Sequence, residues 1–411
     1  MHFCAAEALA AKAESATIEL PAGDEARIIT IMRILIASNY QWPHLGGIEL
    51  AAQHLKHCWK DDGHSVTWVT TNIPRGAVAS TPDNVRIPAS NWFEENLQIN
   101  TPIVNPLAYF KILNLVRRHD VISVHSLAPG VTALTIRAAL ACRKPLVVTQ
   151  HVGIIPLKSR ILTLLQDRVI LRSARSCTRR GTWMTFVSPA VRDWFIAKAK
   201  IDPDHVCLTP TAYNNAIFSL TDGPARLAEQ RQLGLPDNRL KVLFVGRFVE
   251  KKGLPLIEHA ARSCSDIHFT LIGEGAIHPK EWNLSNVRVV SPQSADTLRR
   301  YYASHDLLLL PAVGEGWPAV ICEAMACGTP CLISRETFRN FGRDEHMFLV
   351  SDNSTVALEG ILQRVKEGKI PLVGQHQAVA TYAQTTWAGS WQKTARVFTD
   401  LFRVLARDSQ G

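Results

Sequence analysis

The sequence predicts an α/β protein made of two doubly wound domains, each a parallel sheet with crossover helices on both faces. Three observations predict it. Short apolar runs suited to buried strands, such as 121–125 and 307–310, alternate with helical stretches along the chain. The alternation pauses after Phe218 and restarts at Lys241, as expected of two units joined by a crossing. A chain of 411 residues, 46% apolar and 20% charged, also supplies two sizeable cores in an ordinary globular protein.

Residues 1–31 carry Glu7, Lys12, Glu14 and Glu19 among alanines, so no continuous apolar core of a secretory signal is found there. The stretch is expected to be dispensable, either an appendage or an over-extended start ahead of Met32. No apolar run approaches the ~18 residues that span a bilayer. The nine cysteines are scattered with no Cys-x-x-Cys pair, a pattern of reduced cytosolic thiols; the cluster Cys322, Cys327 and Cys331 fits small core fillers better than any common zinc site. A net charge of +9 favours anionic partners without choosing among nucleotide, nucleic acid and membrane surface.

The first strand, 33–38, leads into NYQWPHLGGIE and a helix patterned by Ile48, Leu50, Ala51, Leu55 and Trp59. Gly46 and Gly47 either bring bare backbone close to a phosphate or form a simple tight turn. Further strands are expected at 66–70, 121–125, 146–149 and 184–187. His125 ends the second of these, where sites of open sheets are built, although a core histidine is the alternative; His151, in VVTQHVG, is a weaker case of the same kind. Residues 158–180 set Lys158, Arg160, Arg168, Arg172, Arg175, Arg179 and Arg180 against the single acid Asp167, interleaved with Leu164, Leu165, Val169 and Ile170. This reads as a basic amphipathic helix that docks on anionic lipid, packs as a crossover helix, or does both. Asp202-Pro203-Asp204 has the spacing of a metal-binding Asp-x-Asp, but a proline-broken solvated turn is the better account, and no metal site is expected. Gly223 and Pro224 look like part of the crossing between domains.

In the second half, strand 241–246 ends in GRFVEKKG. Arg247 and Lys252 are two cations at a strand's carboxyl end, able to hold a diphosphate and neutralise it as it leaves, while Lys251 is expected to face solvent. Strand 267–272 is followed by Gly273 and Gly275. Residues 307–334, LLLLPAVGEGWPAVICEAMACGTPCLIS, then read as a strand, a glycine-flanked acidic loop, a helix and another strand. Gly314 and Gly316 let a ligand approach the main chain, and Pro318 suits the first position of a helix whose amino end favours an anion. Glu315 before that helix and Glu323 inside it can each accept two neighbouring sugar hydroxyls.

Taken together, PHLGGIE, DVISVHS, GRFVEKKG, LIGEG and the Glu-x7-Glu of EGWPAVICEAMACGTP resemble the ordered motifs of the retaining glycosyltransferases of family 4. The resemblance runs from Met32 to the terminus. It implies the GT-B fold, two Rossmann-like domains facing each other across a cleft. The expected domains are 32–218 for the acceptor, 219–384 for the nucleotide sugar, and a closing helix at 385–411 that crosses back. It implies a metal-independent, retaining hexosyltransferase whose co-substrate is a nucleotide sugar such as a UDP- or GDP-sugar, with no other cofactor. By the same resemblance Glu323 holds the ribose, Glu315 and His125 the transferred sugar, and Arg247 with Lys252 the diphosphate. Gly46 and Gly47 close over the phosphates, Gly273, Gly316 and Trp317 line the donor, and 291–295 lie near the base. The sequence departs from the family at PTAYNNAIF, where Asn214 replaces the usual aspartate, and at SRETFRNFGRDEHMFLV, which lacks a Gly-x-x-Glu run. The acceptor is expected to be lipid-linked or a surface polysaccharide, and the protein cytoplasmic, peripheral on the inner face of the plasma membrane. Two rivals are a same-fold epimerase or phosphorylase and a basic nucleic-acid-binding protein. The latter calls for base-stacking aromatics within its basic clusters, and the aromatics here mostly lie within apolar patterns.

Overall fold

A computed structural model describes residues 31–41, 46–74, 79–93, 101–153, 160–209, 211–341, 344–372, 374–387 and 391–408. The expected extension 1–31 lies almost wholly outside these residues, as do Lys158, Pro210 and the 42–45 part of the first loop.

The chain divides into two compact units, one reaching Thr209 and resuming at Gln392, the other spanning Pro210–Trp391. The first unit holds β1 (Arg33–Ala37), β2 (Ser65–Thr71), β3 (Asn84–Ile87), the short antiparallel pair β4 (Ala89–Ser90) and β5 (Ile103–Val104), then β6 (Val121–His125), β7 (Leu146–Gln150), β8 (Trp183–Phe186) and β9 (Val206–Leu208). Its main sheet is parallel, in the order β3-β2-β1-β6-β7-β8-β9. The second unit holds β10 (Lys241–Val245), β11 (His268–Ile272), β12 (Val287–Val290), β13 (Leu307–Leu310), β14 (Cys331–Ser334) and β15 (Leu349–Ser351), parallel in the order β12-β11-β10-β13-β14-β15. Both sheets are doubly wound as the sequence predicts. Strand order reverses between β1 and β6 in one and between β10 and β13 in the other. Beyond such switch points ligands of open α/β sheets bind, because the connections on the two sides leave in opposite directions and open a crevice.

Central strands such as β10 and β13 are buried along their whole length, which is why they read as unbroken apolar runs. The strands that the sequence did not mark, β3, β4, β5, β12 and β15, are short, and their pairing rather than their composition makes them strands. Residues from Gln392 belong to the first unit for a packing reason. Trp59, on the helix Gly47–Asp61, lies 5.8 Å from Phe398 and 5.6 Å from Phe402 of the helix Trp391–Asp408, and its indole N–H donates to the Ala395 carbonyl at 3.3 Å. Gly223 and Pro224, read from the sequence as part of the crossing, are helical in the structure. They open the helix Gly223–Gln232, because the Asp222 side chain accepts from the Ala225 amide at 2.7 Å and caps it. Among the described residues no helix is long and apolar enough to cross a membrane.

Candidate active site

In the second unit β10 and β13 end side by side. After β10 the chain passes through Gly246 and the exposed Arg247 into a tight turn, Glu250–Lys252, and Gly253 at φ 81° starts the helix Leu254–Ser263. After β13 it enters the loop that carries Glu315. The two meet: Lys252 Nζ lies 2.9 Å from Glu315 Oε2, with side-chain exposures of only 15% and 12%. Such a half-buried pair is less screened than a surface one, yet Glu315 Oε1 is buried without a hydrogen-bond partner among the described residues. An unfilled buried acceptor beside a cation is poised for a hydroxyl group. Arg247 makes no hydrogen bond or ion pair among the described residues, so its guanidinium is free for an anion.

Lys251 does not face solvent as expected. It is partly buried, and burial pulls its ammonium below the ordinary range, Lys252 and Arg247 adding to that and Glu315 opposing it. Its carbonyl also accepts from the Val313 amide at 2.9 Å, tying the two strand-end loops together.

The acidic loop is pinned from behind by the helix Arg335–Phe341, within the stretch where the sequence departs from the family pattern. Glu336 accepts from the Gly314 amide at 2.7 Å and Asn340 donates to the Glu315 carbonyl at 2.8 Å. Sequence reasoning missed both, because neither lies in a recognisable motif. Gly314 is left-handed at φ 68°, the conformation for which glycine suits this turn. Trp317 packs its indole 4.5 Å from Phe341 and 6.0 Å from Trp387, an aromatic contact that fixes the loop. Pro318 is the residue before the helix Ala319–Ala326 rather than its first residue. Glu323 lies within that helix and accepts from the Tyr302 hydroxyl at 2.9 Å; burial pushes its carboxyl up to about 7, the Tyr302 bond pulling the other way.

Gly273 (φ 152°) and Gly275 (φ 158°) have a packing role of their own. A Cβ on either would intrude on backbone, the Gly246 carbonyl for the first and Phe248 for the second. Residues 291–293 belong to no helix or strand, and Ser294 caps the helix Ala295–Ser304.

In the first unit Gly46 is the extended residue before the helix Gly47–Asp61, and neither glycine is left-handed. A Cβ at Gly47 would meet nothing within 4 Å, whereas one at Gly46 would run into the Glu49 carboxylate, so neither glycine is there for a special turn. His125 ends β6 and is buried, Nδ1 3.0 Å from His151 Nε2 and Nε2 3.5 Å from Ser123 Oγ. The structure thus joins two histidines that the sequence offered separately. Burial holds both below the ordinary imidazole range, His151 at about 4, so the pair is neutral near pH 7. Just beyond, Ser126 adopts φ 88° while its amide donates to the Thr149 carbonyl at 2.7 Å.

Asp202 accepts from the Asp204 amide and from His205 Nδ1, each at 3.0 Å, which makes the Asp-x-Asp stretch a self-capped exposed turn. Among the described residues no group of three metal-ligating side chains comes together. Cys322, Cys327 and Cys331 are buried free thiols, and the other described cysteines are free as well. The basic stretch forms the helix Arg160–Thr178, which buries Ile170, Ala174 and Cys177 and exposes Leu164, Leu165 and Val169 beside Arg168 and Arg172. Arg175 donates to the Ala199 carbonyl at 2.8 Å and so belongs to the packed face.

Against known proteins, residues 239–366 match the family described as Glycosyl transferases group 1, and residues 45–216 match Glycosyltransferase Family 4. The D-inositol 3-phosphate glycosyltransferase of Arthrobacter sp. (strain FB24) is 25% identical over 237 residues, 53% of this chain and 54% of that protein. The chain therefore spans about half the length of this curated relative. Two solved structures share the fold throughout. Sucrose-phosphate synthase from Thermosynechococcus elongatus superposes with a TM-score of 0.71 at 19% identity, over 91% of this chain and 99% of that one. HepE of Anabaena, solved with UDP, gives 0.70 at 17% identity over 91% and 100%. These likenesses establish the GT-B glycosyltransferase fold.

Proposed function

The chain belongs to the group 1 glycosyltransferases of family 4, and from that premise we propose that it moves a hexose from a nucleoside-diphosphate sugar to a hydroxyl acceptor, with retention and without a metal. The observation that carries this reading is the Lys252–Glu315 pair at 2.9 Å, beside the unpaired Arg247 at the sheet's switch point. A nucleoside diphosphate needs fixed positive charge as its bond to the sugar breaks, and Arg247 and Lys252 supply it where other transferases use a cation. Glu315 then accepts sugar hydroxyls through its unfilled oxygen, Glu323 accepts from the ribose, and His125 serves the transferred sugar as a neutral imidazole. Both acids are thereby engaged with hydroxyl groups, and neither is left to act as a nucleophile beneath the anomeric carbon. The acceptor oxygen attacks from the face that the diphosphate leaves. The C–O bond to phosphate breaks as the new one forms, the acceptor's proton passes to the departing phosphate oxygen, and configuration is kept.

UDP-glucose is the first donor to test, since HepE of Anabaena has been solved with it. Incubation of the protein with a nucleotide-sugar panel and candidate acceptors in EDTA is expected to yield an α-linked product from an α-linked donor, read from the anomeric proton coupling. A β-linked product, or transfer only after manganese is restored, contradicts the mechanism. Release of the free epimer, or dependence on inorganic phosphate, replaces transfer by same-fold sugar-nucleotide chemistry.

The exposed stripe of the helix Arg160–Thr178 supports a peripheral position on the cytoplasmic membrane face, where a lipid-linked acceptor is presented. Apolar Leu164, Leu165 and Val169 flanked by Arg168 and Arg172 combine insertion with attraction to anionic headgroups. The protein is expected to sediment with anionic vesicles at low salt and to be released as salt rises, and R168E/R172E to weaken this. Equal binding to neutral vesicles, or none, assigns the stripe another role. Arg175 is left alone in this test because its reversal would break the contact with Ala199.

A further inference from the structure

We propose that Tyr302 is a positioning residue for Glu323: its hydroxyl donates to Oε2 and fixes the carboxylate so that its remaining lone pairs meet the ribose. The inference rests on the reading of Glu323 as the ribose acid. Tyr302 is fully buried on the helix Ala295–Ser304, which packs directly against the helix Ala319–Ala326 carrying Glu323. It is itself held in place. Its carbonyl accepts from Thr329 Oγ1 at 2.5 Å, and its ring meets Phe218 edge-on at 5.9 Å. The phenol is thus a fixed donor aimed at one oxygen of Glu323, and the other oxygen accepts from no described residue. A carboxylate can receive two vicinal hydroxyls only while ionised and in one orientation. Burial works against the first condition and side-chain freedom against the second, and one rigid O–H donor opposes both.

Of the neighbouring groups none but Tyr302 bonds the carboxylate; the Tyr213 hydroxyl, buried near Cys322 and Cys327, has no partner among the described residues. On its own helix and just past it stand the thiols of Cys322 and Cys327, whose influence on an ionised neighbour is unfavourable. Arg299, from the same helix as Tyr302, is taken by Glu229 at 2.5 Å. From the helix Gln375–Thr386, His376 is bound to the Gly328 carbonyl at 2.6 Å and the Tyr382 hydroxyl donates to Asp344 at 2.9 Å. Tyr302 alone among these groups bonds the Glu323 carboxylate.

The test is a titration of the Glu323 carboxyl carbon by NMR in 13C-glutamate-labelled protein without ligand, its resonance assigned by disappearance in Glu323→Gln. The expected midpoint is near 7 in the native chain, and about one pH unit or more higher in Tyr302→Phe, the value of one hydrogen bond to a charged group. UDP and GDP binding, followed across the same pH range, should lose its acid side at the correspondingly higher pH in Tyr302→Phe. It should approach the native strength in alkali. A folded Tyr302→Phe with an unmoved carboxyl midpoint overturns the inference. Should that variant fail to fold, ring-fluorinated tyrosine, a stronger donor of the same shape, is expected to lower the midpoint, and no change there overturns the inference equally. Native-strength nucleotide binding by Glu323→Gln would instead remove the ribose reading, and the carboxyl titration would still report on the pairing.

Discussion

Lys252→Ala and Glu323→Gln are each expected to remove most transfer while leaving a folded protein. Lys252 is the cation that the diphosphate meets, and contacts to charged groups are worth about 1.5–3 kcal/mol, so donor affinity should fall about tenfold or more. Removal of Lys252 also leaves Glu315, already short of a partner on Oε1, without the bond to Oε2, so the loss in kcat should exceed the loss in binding. Glu323→Gln isolates function from stability through the sign of its ionisation. Its carboxyl is pushed up to about 7 in the folded chain, above the ordinary value of 4.5, so the stability it contributes is present at low pH and lost as pH rises through 7. Gln, which cannot ionise, should therefore melt at or above the native temperature at pH 8 while binding donor poorly. The native protein, in turn, should bind donor better at pH 8 than at pH 6, because the ionised form accepts the ribose hydroxyls. Calorimetric titration of nucleotide sugar into both variants measures this, and native affinity in both would end the assignment of this site.

Gly273→Ala is expected to cost the second unit much of its stability. The residue sits at φ 152°, and a Cβ there would fall inside the Gly246 carbonyl, a backbone atom that cannot swing away. Backbone strain of about 1–3 kcal/mol adds to a forced displacement of about 1–3 kcal/mol, which lowers the melting temperature by about 5–15 °C. Donor binding should fall with it, since the displaced Gly246 precedes Arg247. Gly47→Ala is the internal contrast: with nothing within 4 Å of the new carbon, stability should hardly change. A melting scan of the two variants beside the native protein decides, and equal stability of Gly273→Ala would mean that the two strand-end loops lie farther apart than described.

The sequence by itself determined the two rounds of βα alternation and the loops that carry chemistry. Both signals are local: buried strands announce themselves as apolar runs such as 307–310, and Arg247, Lys252, Glu315 and Glu323 stand in compact motifs next to them. What it left open is everything that depends on which segments become neighbours. Lys252 and Glu315 are far apart in the chain and meet only because β10 pairs with β13. Tyr302 reaches Glu323, and His125 reaches His151, across helix and strand packing that no local pattern encodes. Glu336 and Asn340 pin the acidic loop from a helix whose sequence departs from the family motif. In the helix Arg160–Thr178 apolar residues occur on both faces, so composition cannot say that Ile170 is buried while Leu164 and Val169 are exposed. Lys251 was misjudged for the same reason, because its burial comes from the loop after β13 folding over it. Periodicity reports what a segment can become, whereas burial and side-chain pairing are set by contacts between distant segments, and those exist only once the strands have chosen their order.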